Sequence, residues 1–262
     1  MHTSLFDYEF GAAYALDIGV VRASNQDKVI SCPEYGFFAV SDGMGGLEQG
    51  GKTSEIIAEV MPSIVEEIAG ELKGRGKKPN PGRYGAALKE RVRLVSDNIF
   101  DIVNIGSIGF GATLSCVWLV ADAAVYVNLG DSRGYLLPRY QRALRQITED
   151  HNVAGELVRL GELTKEEARG HSSSSRLTQF MGMQAPARPD VFIELIEPGD
   201  RILICSDGVS GMLCDKDILR VMRSSKWPNA VCRGLVAAAN EAGGKDNSSV
   251  VYLKIGKRAS GI

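Results

Sequence analysis

The segment that decides the fold class is residues 111–147, which read GATLSCVWLVADAAVYVNLGDSRGYLLPRYQRALRQI. Several short β-rich runs follow one another here, separated by Ala121-Asp122, by Gly130-Asp131-Ser132 and by a turn near Arg139. Parallel strands need a long crossover, usually a helix, whereas antiparallel strands are joined by short turns. The segment therefore predicts an antiparallel meander and argues against a βαβ fold.

Patterns on either side of this segment complete the predicted architecture. Two amphipathic helices are expected before it, one from Ile57 to Ile68 with a kink at Pro62, the other from Tyr84 to Ile102. The remaining elements are strands near 11–18, 28–32, 36–41, 191–196, 201–206 and 248–255, and helices near 215–223 and 228–241. With neither a repeat nor an interdomain linker, we predict one domain over residues 1–262. Its class is α+β, a central β-sandwich of two antiparallel sheets flanked by pairs of helices in four layers.

The composition is that of an ordinary globular enzyme and excludes several functional classes. Of the 262 residues, 44% are hydrophobic and 24% are charged, and the formal net charge is −2. This charge gives no electrostatic basis for binding nucleic acid or an anionic membrane. No apolar stretch reaches the ~18 residues of a membrane span, and residues 1–9 lack the basic region of a signal peptide. We expect no nucleic-acid partner, no membrane anchor and a monomer.

Cysteine and histidine usage points to the cytoplasm and away from zinc. The five cysteines are odd in number and include no Cys-x-x-Cys pair, which predicts reduced, mostly buried thiols. The three histidines have no close spacing, which argues against a zinc site.

Four aspartates stand beside glycines where apolar runs begin or end. They are Asp42, Asp131, Asp207 and Asp246. A carboxylate at a strand end costs folding free energy unless it is solvated, hydrogen-bonded or bound to a cation. One such aspartate is usually a turn residue, but a fold that gathers four of them makes an oxygen-ligand site for a hard cation. The pattern favours a metal site.

A second motif indicates a different function. Residues 46–53 (Gly46 to Thr53), GLEQGGKT, fit the P-loop pattern G-x-x-x-x-G-K-T, and Leu203 to Asp207 resemble the acidic strand of P-loop proteins. A P-loop NTPase needs parallel βαβ crossovers, which the antiparallel meander contradicts. That function also leaves Asp131, Asp246 and Arg22 without a role. We keep it as the alternative.

Six short motifs, taken in order, resemble a known family. They are Asp17-Ile-Gly-Val-Val-Arg-Ala-Ser-Asn-Gln-Asp27, Ser41-Asp-Gly-Met-Gly-Gly46, Gly111-Ala-Thr113, Gly130-Asp-Ser-Arg133, Ser206-Asp-Gly208 and Asp246-Asn247. The set is similar, over roughly residues 11–255, to the metal-dependent serine/threonine protein phosphatases of type 2C (the PPM family) in their compact bacterial form. The resemblance implies a β-sandwich flanked by helices and a phosphoric monoester hydrolase acting on phosphoserine and phosphothreonine.

The resemblance also implies roles for the residues that match its motifs. Asp42 would bridge two metal ions, and the carbonyl of Gly43 would bind one of them. Asp207 and Asp246 would hold the first metal. Asp27 would act on the second, partly through water.

Two further residues carry roles that stay open. Asp131 matches the position linked in the family to a third, weaker metal; without the family it is a turn residue that caps its turn or pairs with Arg133. Arg22 would bind the substrate phosphate, because a planar guanidinium can hold two phosphate oxygens. Without the family it is an arginine of a surface loop.

The implied chemistry needs no protein nucleophile. Two divalent ions about 4 Å apart lower the pKa of a shared water, which then attacks phosphorus. Oxygen ligands favour Mn²⁺ or Mg²⁺, with two ions bound tightly and a third weakly. Two positions depart from the family pattern: Met44 replaces a histidine that many members carry, and Gln26 stands where an acid is common. Neither position would bind metal directly, so we expect an active enzyme. An inactive phosphoprotein-binding scaffold is the other alternative.

Two segments remain less defined. Residues 150–185 correspond to the family's variable flap and are expected to influence substrate choice; they include His151, Arg169, Arg176 and a serine tract. Residues 70–83 form a basic loop, either solvated or used to dock a partner. The expected partner is a phosphoprotein, either a bacterial Ser/Thr kinase or the targets of that kinase.

Overall fold

A computed structural model describes residues 5–45, 49–73, 78–103, 110–184 and 186–259. In chain order its elements are β1 (Tyr8–Asp17), β2 (Asp27–Cys32), a 3-10 turn (Pro33–Tyr35), β3 (Phe37–Met44), α1 (Gln49–Leu72), α2 (Pro81–Val103), β4 (Gly111–Ala112), β5 (Leu114–Val120), β6 (Ala123–Leu129), β7 (Arg133–Leu137), β8 (Arg145–Gln146), α3 (Val153–Arg159), α4 (Lys165–Ala168), β9 (Asp190–Leu195), β10 (Arg201–Cys205), α5 (Asp207–Ser210), α6 (Asp215–Ser224), α7 (Pro228–Glu241) and β11 (Ser248–Arg258). Residues 46–48 of the P-loop-like segment and 74–77 of the basic loop lie outside the described residues.

The strands form two sheets that pack face to face. The first has the order β1-β11-β10-β7-β8 and the second β2-β3-β5-β6-β9, with β4 paired to β3. Neighbouring strands within both sheets are antiparallel. Helices α6 and α7 lie on the first sheet, and α1 and α2 lie on the second. The predicted four-layer sandwich is confirmed. The P-loop alternative finds no support, because the described sheets have no parallel βαβ crossover.

Three apolar layers hold the sandwich together. The central layer lies between the sheets and includes Phe38, Val117 and Ile204. In the second sheet every residue of β5 and β6 is buried, with Val117 facing the other sheet and Trp118 facing α1 and α2. A strand covered on both faces has no polar side to alternate with, which explains the continuous apolar runs in the sequence.

The predicted meander is antiparallel, but it is divided between the two sheets. β4, β5 and β6 belong to the second sheet, whereas β7 and β8 belong to the first. The chain crosses over at Gly130, whose φ is +118° and whose added Cβ would lie 2.6 Å from the Thr113 side chain. Only glycine fits this crossover. Strand periodicity identifies strands but does not say which sheet each one joins.

Other predictions have mixed outcomes. Helix α2 buries Tyr84, Leu88 and Val92 as expected, but Ile102 is 67% exposed and does not belong to its buried face. All five cysteines are free, and four of them are buried, in agreement with the predicted mostly buried cysteines. Within the residues described, no helix has the length and apolar character needed to cross a membrane.

Candidate metal centre

The topology gathers the predicted aspartates at one end of the sandwich. Asp27 is the first residue of β2 and the register partner of Asp42 on β3. Asp207 directly follows Ser206 at the end of β10, and Asp246 comes just before β11, the strand beside β10. Asp131 lies at the crossover between β6 and β7. Five carboxylates that are distant in sequence therefore approach one another from both sheets.

Burial and mutual repulsion raise the pKa of four of these carboxyls. For Asp27, burial is the main cause and the pKa rises to about 6. The pKa of Asp42 lies well above its ordinary value, first because the group is buried and then because Asp27 and Asp207 carry like charge. Burial, followed by a neighbouring carboxylate, also raises the pKa of Asp131 and Asp207. Such a cluster is costly in the ionised form unless a cation compensates it.

Two carboxylate oxygens in the cluster have no donor among the described residues. Oδ2 of Asp27 accepts a hydrogen bond from Ser206 Oγ at 2.7 Å, but its Oδ1 is buried without a partner. Oδ1 of Asp207 is buried without a partner in the same way. Buried and unsatisfied anionic oxygens are what a hard divalent cation would bind. The donor set therefore fits Mn²⁺ or Mg²⁺.

The side chains are not arranged around a single ion as they stand. Among the described residues, no three His, Cys, Asp or Glu side chains form a group that could hold a metal. One of the five carboxylates, Asp246, is already paired with an arginine. Arg22 Nη2 lies 2.6 Å from Asp246 Oδ2 in a half-exposed ion pair. The predicted phosphate-binding arginine therefore lies beside a predicted metal ligand. For Asp246 to bind a cation, this pair would have to open.

Asn247 ties the Arg22 loop to the start of β11. Its Oδ1 accepts a hydrogen bond from the Gln26 backbone N–H at 2.8 Å. Its Nδ2 donates to the carbonyls of Ile18 and Ser24 at 2.9 Å each. One side chain thus fixes both ends of the loop that carries Arg22. The sequence motif contains Asn247, but nothing in the sequence indicates these partners more than 200 residues away.

Thr113 has a similar role at the end of β3. Its backbone N–H donates to the Asp42 carbonyl at 2.8 Å, and its Oγ1 accepts from the Asp42 backbone N–H at 3.1 Å. Thr113 Oγ1 also lies 2.7 Å from Ser132 Oγ, next to Asp131. These bonds fix the backbone at two of the aspartates relative to each other.

Asp131 is held by the base of the flap, and not by Arg133. Asn152 Nδ2 donates to Asp131 Oδ2 at 3.2 Å, and the Gly130 backbone N–H donates to His151 Nδ1 at 3.2 Å. Arg133 instead forms a salt bridge with Asp150 at 2.6 Å. The alternative in which Asp131 pairs with Arg133 is therefore wrong. Asn152 went unnoticed in the sequence, where its role as N-cap of α3 was the one available signal.

The rest of the flap contains two short helices between its anchoring points. Thr164 and Glu167 form a capping box at the start of α4. The flap is fastened by the Thr178 N–H to the His151 carbonyl at 2.8 Å. Arg169 and Arg176 are exposed, and neither has an ion-pair partner within the described part of the chain. Neither arginine takes part in the hydrogen bonds that fix the aspartates.

Comparison with known proteins identifies relatives of this chain. The family model described as Protein phosphatase 2C matches residues 21–239. The serine/threonine phosphatase stp of Listeria monocytogenes is 28% identical over 246 residues, which cover 93% of this chain and 95% of that protein. The PPM Ser-Thr phosphatase MsPP from Mycobacterium smegmatis, solved in complex with cacodylate, is 32% identical with a TM-score of 0.77, covering 94% of this chain and 98% of its own. The catalytic domain of the serine/threonine protein phosphatase PstP, solved with two manganese ions, is 28% identical with a TM-score of 0.76, covering 95% and 99%.

Proposed function

Because the chain belongs to the protein phosphatase 2C family, we propose that it hydrolyses phosphoserine and phosphothreonine in proteins at a centre of two divalent metal ions. The chain is a serine/threonine phosphatase by its family and its relatives. The observation that carries the metal centre is the gathering of five aspartates, two of which have buried, unpartnered oxygens. When bound, the two ions supply an acidified water and positive charge at the substrate phosphate.

The residues divide the work of binding this centre. Asp42, whose backbone is held by Thr113, would contact both ions, with the Gly43 carbonyl beside it. Asp207 and Asp246, on adjacent strand ends, would hold the first ion. Asp27 lies across from Asp42 in the neighbouring strand and would act on the second ion, partly through water.

The first test is metal-dependent activity. The purified protein should hydrolyse p-nitrophenyl phosphate and phosphothreonine peptides with Mn²⁺ or Mg²⁺, and EDTA should abolish turnover because no protein group replaces the ions. Turnover that persists in EDTA would refute the metal centre, and binding of phosphopeptide without turnover would favour the inactive scaffold. The P-loop alternative predicts instead ATP hydrolysis that is lost in Lys52→Ala.

Arg22 is proposed to bind the substrate phosphate after leaving Asp246. Its guanidinium lies on a loop fixed by Asn247 at the edge of the cluster. The phosphate is charged in both ground and transition states, so an arginine that binds it stabilises both. Its role is therefore in binding more than in the chemical step.

Arg22→Ala should raise KM for a phosphothreonine peptide by about tenfold and change kcat much less, because it removes binding shared by both states. The same variant frees Asp246 from its ion pair, so affinity for Mn²⁺ should stay equal or increase. Steady-state kinetics and calorimetric Mn²⁺ titration measure the two effects. An unchanged KM with altered Mn²⁺ affinity would show that Arg22 serves only to neutralise Asp246.

Asp131 is proposed to contribute to a third, weaker metal site. With one carboxylate and otherwise water ligands, such a site would bind weakly, since affinity rises with the number of charged ligands. Asp131→Ala should therefore keep the two tight ions but lose much of its activity at low Mn²⁺, and excess Mn²⁺ should not fully restore it. Activity as a function of Mn²⁺ is measured beside a melting curve of the same sample. A lower Tm with a wild-type Mn²⁺ dependence would mean that Asp131 only holds the flap through Asn152.

The cellular setting is proposed from the same family membership. We expect the substrates to be phosphoproteins made by a bacterial Ser/Thr kinase, or the kinase itself. A cytoplasmic location is consistent with the free cysteines, and we propose a monomer. Dephosphorylation of an autophosphorylated kinase, followed by mass spectrometry, would test this setting.

A further inference from the structure

A cavity lined by basic side chains lies at the end of the first sheet that is opposite the carboxylate cluster. Its volume is about 340 Å³, and its basic residues are Arg139, Arg201, Arg223 and Lys254. Arg201 and Lys254 are register partners on β10 and β11. Because β10 runs from Arg201 towards Asp207, the cavity lies on the order of 20 Å from the carboxylate cluster, at ~3.3 Å per residue.

The four basic side chains have no acidic partner in the described residues. Three of them donate to backbone carbonyls instead: Arg201 to Met222, Arg223 to Gln141 at 3.0 Å, and Arg139 to Pro198 at 3.5 Å. Eight of the fourteen other described arginines pair with carboxylates, as Arg93 does with Glu90 and Arg133 with Asp150. Each guanidinium has five N–H donors, so most donors around this cavity remain for a ligand.

The turn at Gly199 and Asp200 positions Arg139, and the Asp200 carboxylate is bonded to backbone N–H groups and not to a side chain of the cavity. Asp200 is buried, and its two oxygens accept from the backbone N–H groups of Arg139 at 2.7 Å and Glu197 at 2.9 Å. Gly199 has a φ of +98°, and an added Cβ would lie 2.6 Å from Arg139 Cδ. The aliphatic part of Arg139 therefore lies directly on the turn, while Asp200 is used in forming it. The lining residues themselves include no acid.

We propose that this cavity binds a small phosphate compound with two or more phosphoryl groups, at a site separate from the catalytic centre. A planar guanidinium group can donate two parallel hydrogen bonds to two phosphate oxygens. The cations around this cavity repel one another, and a bound anion would offset that repulsion. Small-molecule sites range from about 300 to 1,000 Å³, so this cavity suits a diphosphate or a compact nucleotide. It has no carboxylate to hold a metal, so the phosphate would bind without one.

Calorimetry in EDTA, with pyrophosphate and ADP as probes, tests the proposal. The cavity variant is Arg223→Gln with Lys254→Gln. The matched control is Arg220→Gln with Lys257→Gln, which removes the same charge from the same helix and strand outside the cavity. Wild type and control should bind pyrophosphate with equal Kd, and the cavity variant should bind about tenfold more weakly or worse, because charge-assisted hydrogen bonds are lost. Tighter binding of ADP would identify a nucleotide as the ligand, and binding of pyrophosphate alone an inorganic diphosphate.

Three results would overturn the proposal. The first is that pyrophosphate does not bind to the wild type, and the second is that both double variants lose binding equally. The third is that binding survives in the cavity variant but is lost in Arg22→Ala, which would place the phosphate at the catalytic centre. Melting curves without ligand check that each variant is folded. If the double variant is unstable, Arg223→Gln is compared with Arg220→Gln, since both are exposed arginines of α6, and only the first should weaken binding.

Discussion

Asp207→Asn is expected to lower kcat by about 100-fold or more while making the protein more stable in EDTA. The activity falls because a charged ligand of the metal centre is lost. The stability rises because burial and the charge of Asp246 raise the pKa of Asp207 in the folded protein. A raised pKa means that the ionised carboxylate destabilises the fold at neutral pH, and the neutral amide removes this cost. Kinetics with a phosphothreonine peptide and melting curves in EDTA measure the two effects.

The opposite signs of these effects distinguish a metal ligand from a structural residue. A structural aspartate would lose stability and activity together. The control is Asp101→Asn, which removes the same charge from an exposed position of α2 and should leave both quantities unchanged. Mn²⁺ should raise the Tm of the wild type and of the control, but much less that of Asp207→Asn. A full Mn²⁺ response in Asp207→Asn would remove this residue from the metal centre.

The general architecture was predictable because it depends on short-range sequence patterns, namely turn positions and the spacing of apolar residues. Tight breaks between apolar runs allow only antiparallel strands, and the spacing of Ile57, Met61 and Ile68 matches the buried face of α1. The division of the strands between two sheets was not predictable in the same way. It depends on the backbone turn at Gly130 and on the antiparallel pairing of β7 with β10, which joins residues far apart in sequence.

In the candidate site, too, residues marked by their sequence neighbours could be predicted, whereas contacts between distant segments could not. The aspartates could be identified because a carboxylate beside glycine at a strand end is unusual in itself. Their supporting contacts could not, since Asn247 and Asn152 act through hydrogen bonds to segments far away in the sequence or to another loop. The Arg22–Asp246 ion pair was also missed. The sequence motifs assign these two residues to phosphate and to metal, but they do not show that Arg22 and Asp246 also pair with each other.

Gly208→Ala should destabilise the protein by about 2–4 kcal/mol, in the range of severe steric substitutions, and should remove most of its activity. An added Cβ would lie 1.8 Å from the Asn247 carbonyl oxygen and 2.7 Å from its carbon. Both atoms belong to the backbone, so the segments that carry Asp207 and Asp246 would have to move apart. The proposed metal centre therefore requires glycine here because two backbone segments approach closely, and not because of a special φ angle.

The contrast between Gly208 and a glycine of α1 makes this prediction decisive. An added Cβ at Gly70 meets nothing within 4 Å, so Gly70→Ala should leave activity unchanged and stabilise helix α1 by up to about 1 kcal/mol. Thermal melting and Mn²⁺ titration of both variants separate the outcomes. If Gly208→Ala melts like the wild type but binds Mn²⁺ weakly, the strand ends can separate without unfolding, and the spacing of Asp207 and Asp246 alone controls the site. If it keeps both wild-type stability and Mn²⁺ affinity, the close approach at Gly208 is not needed. Loss of both properties, with Gly70→Ala unaffected, would show that the same backbone contact holds the fold together and sets the distance between two metal ligands.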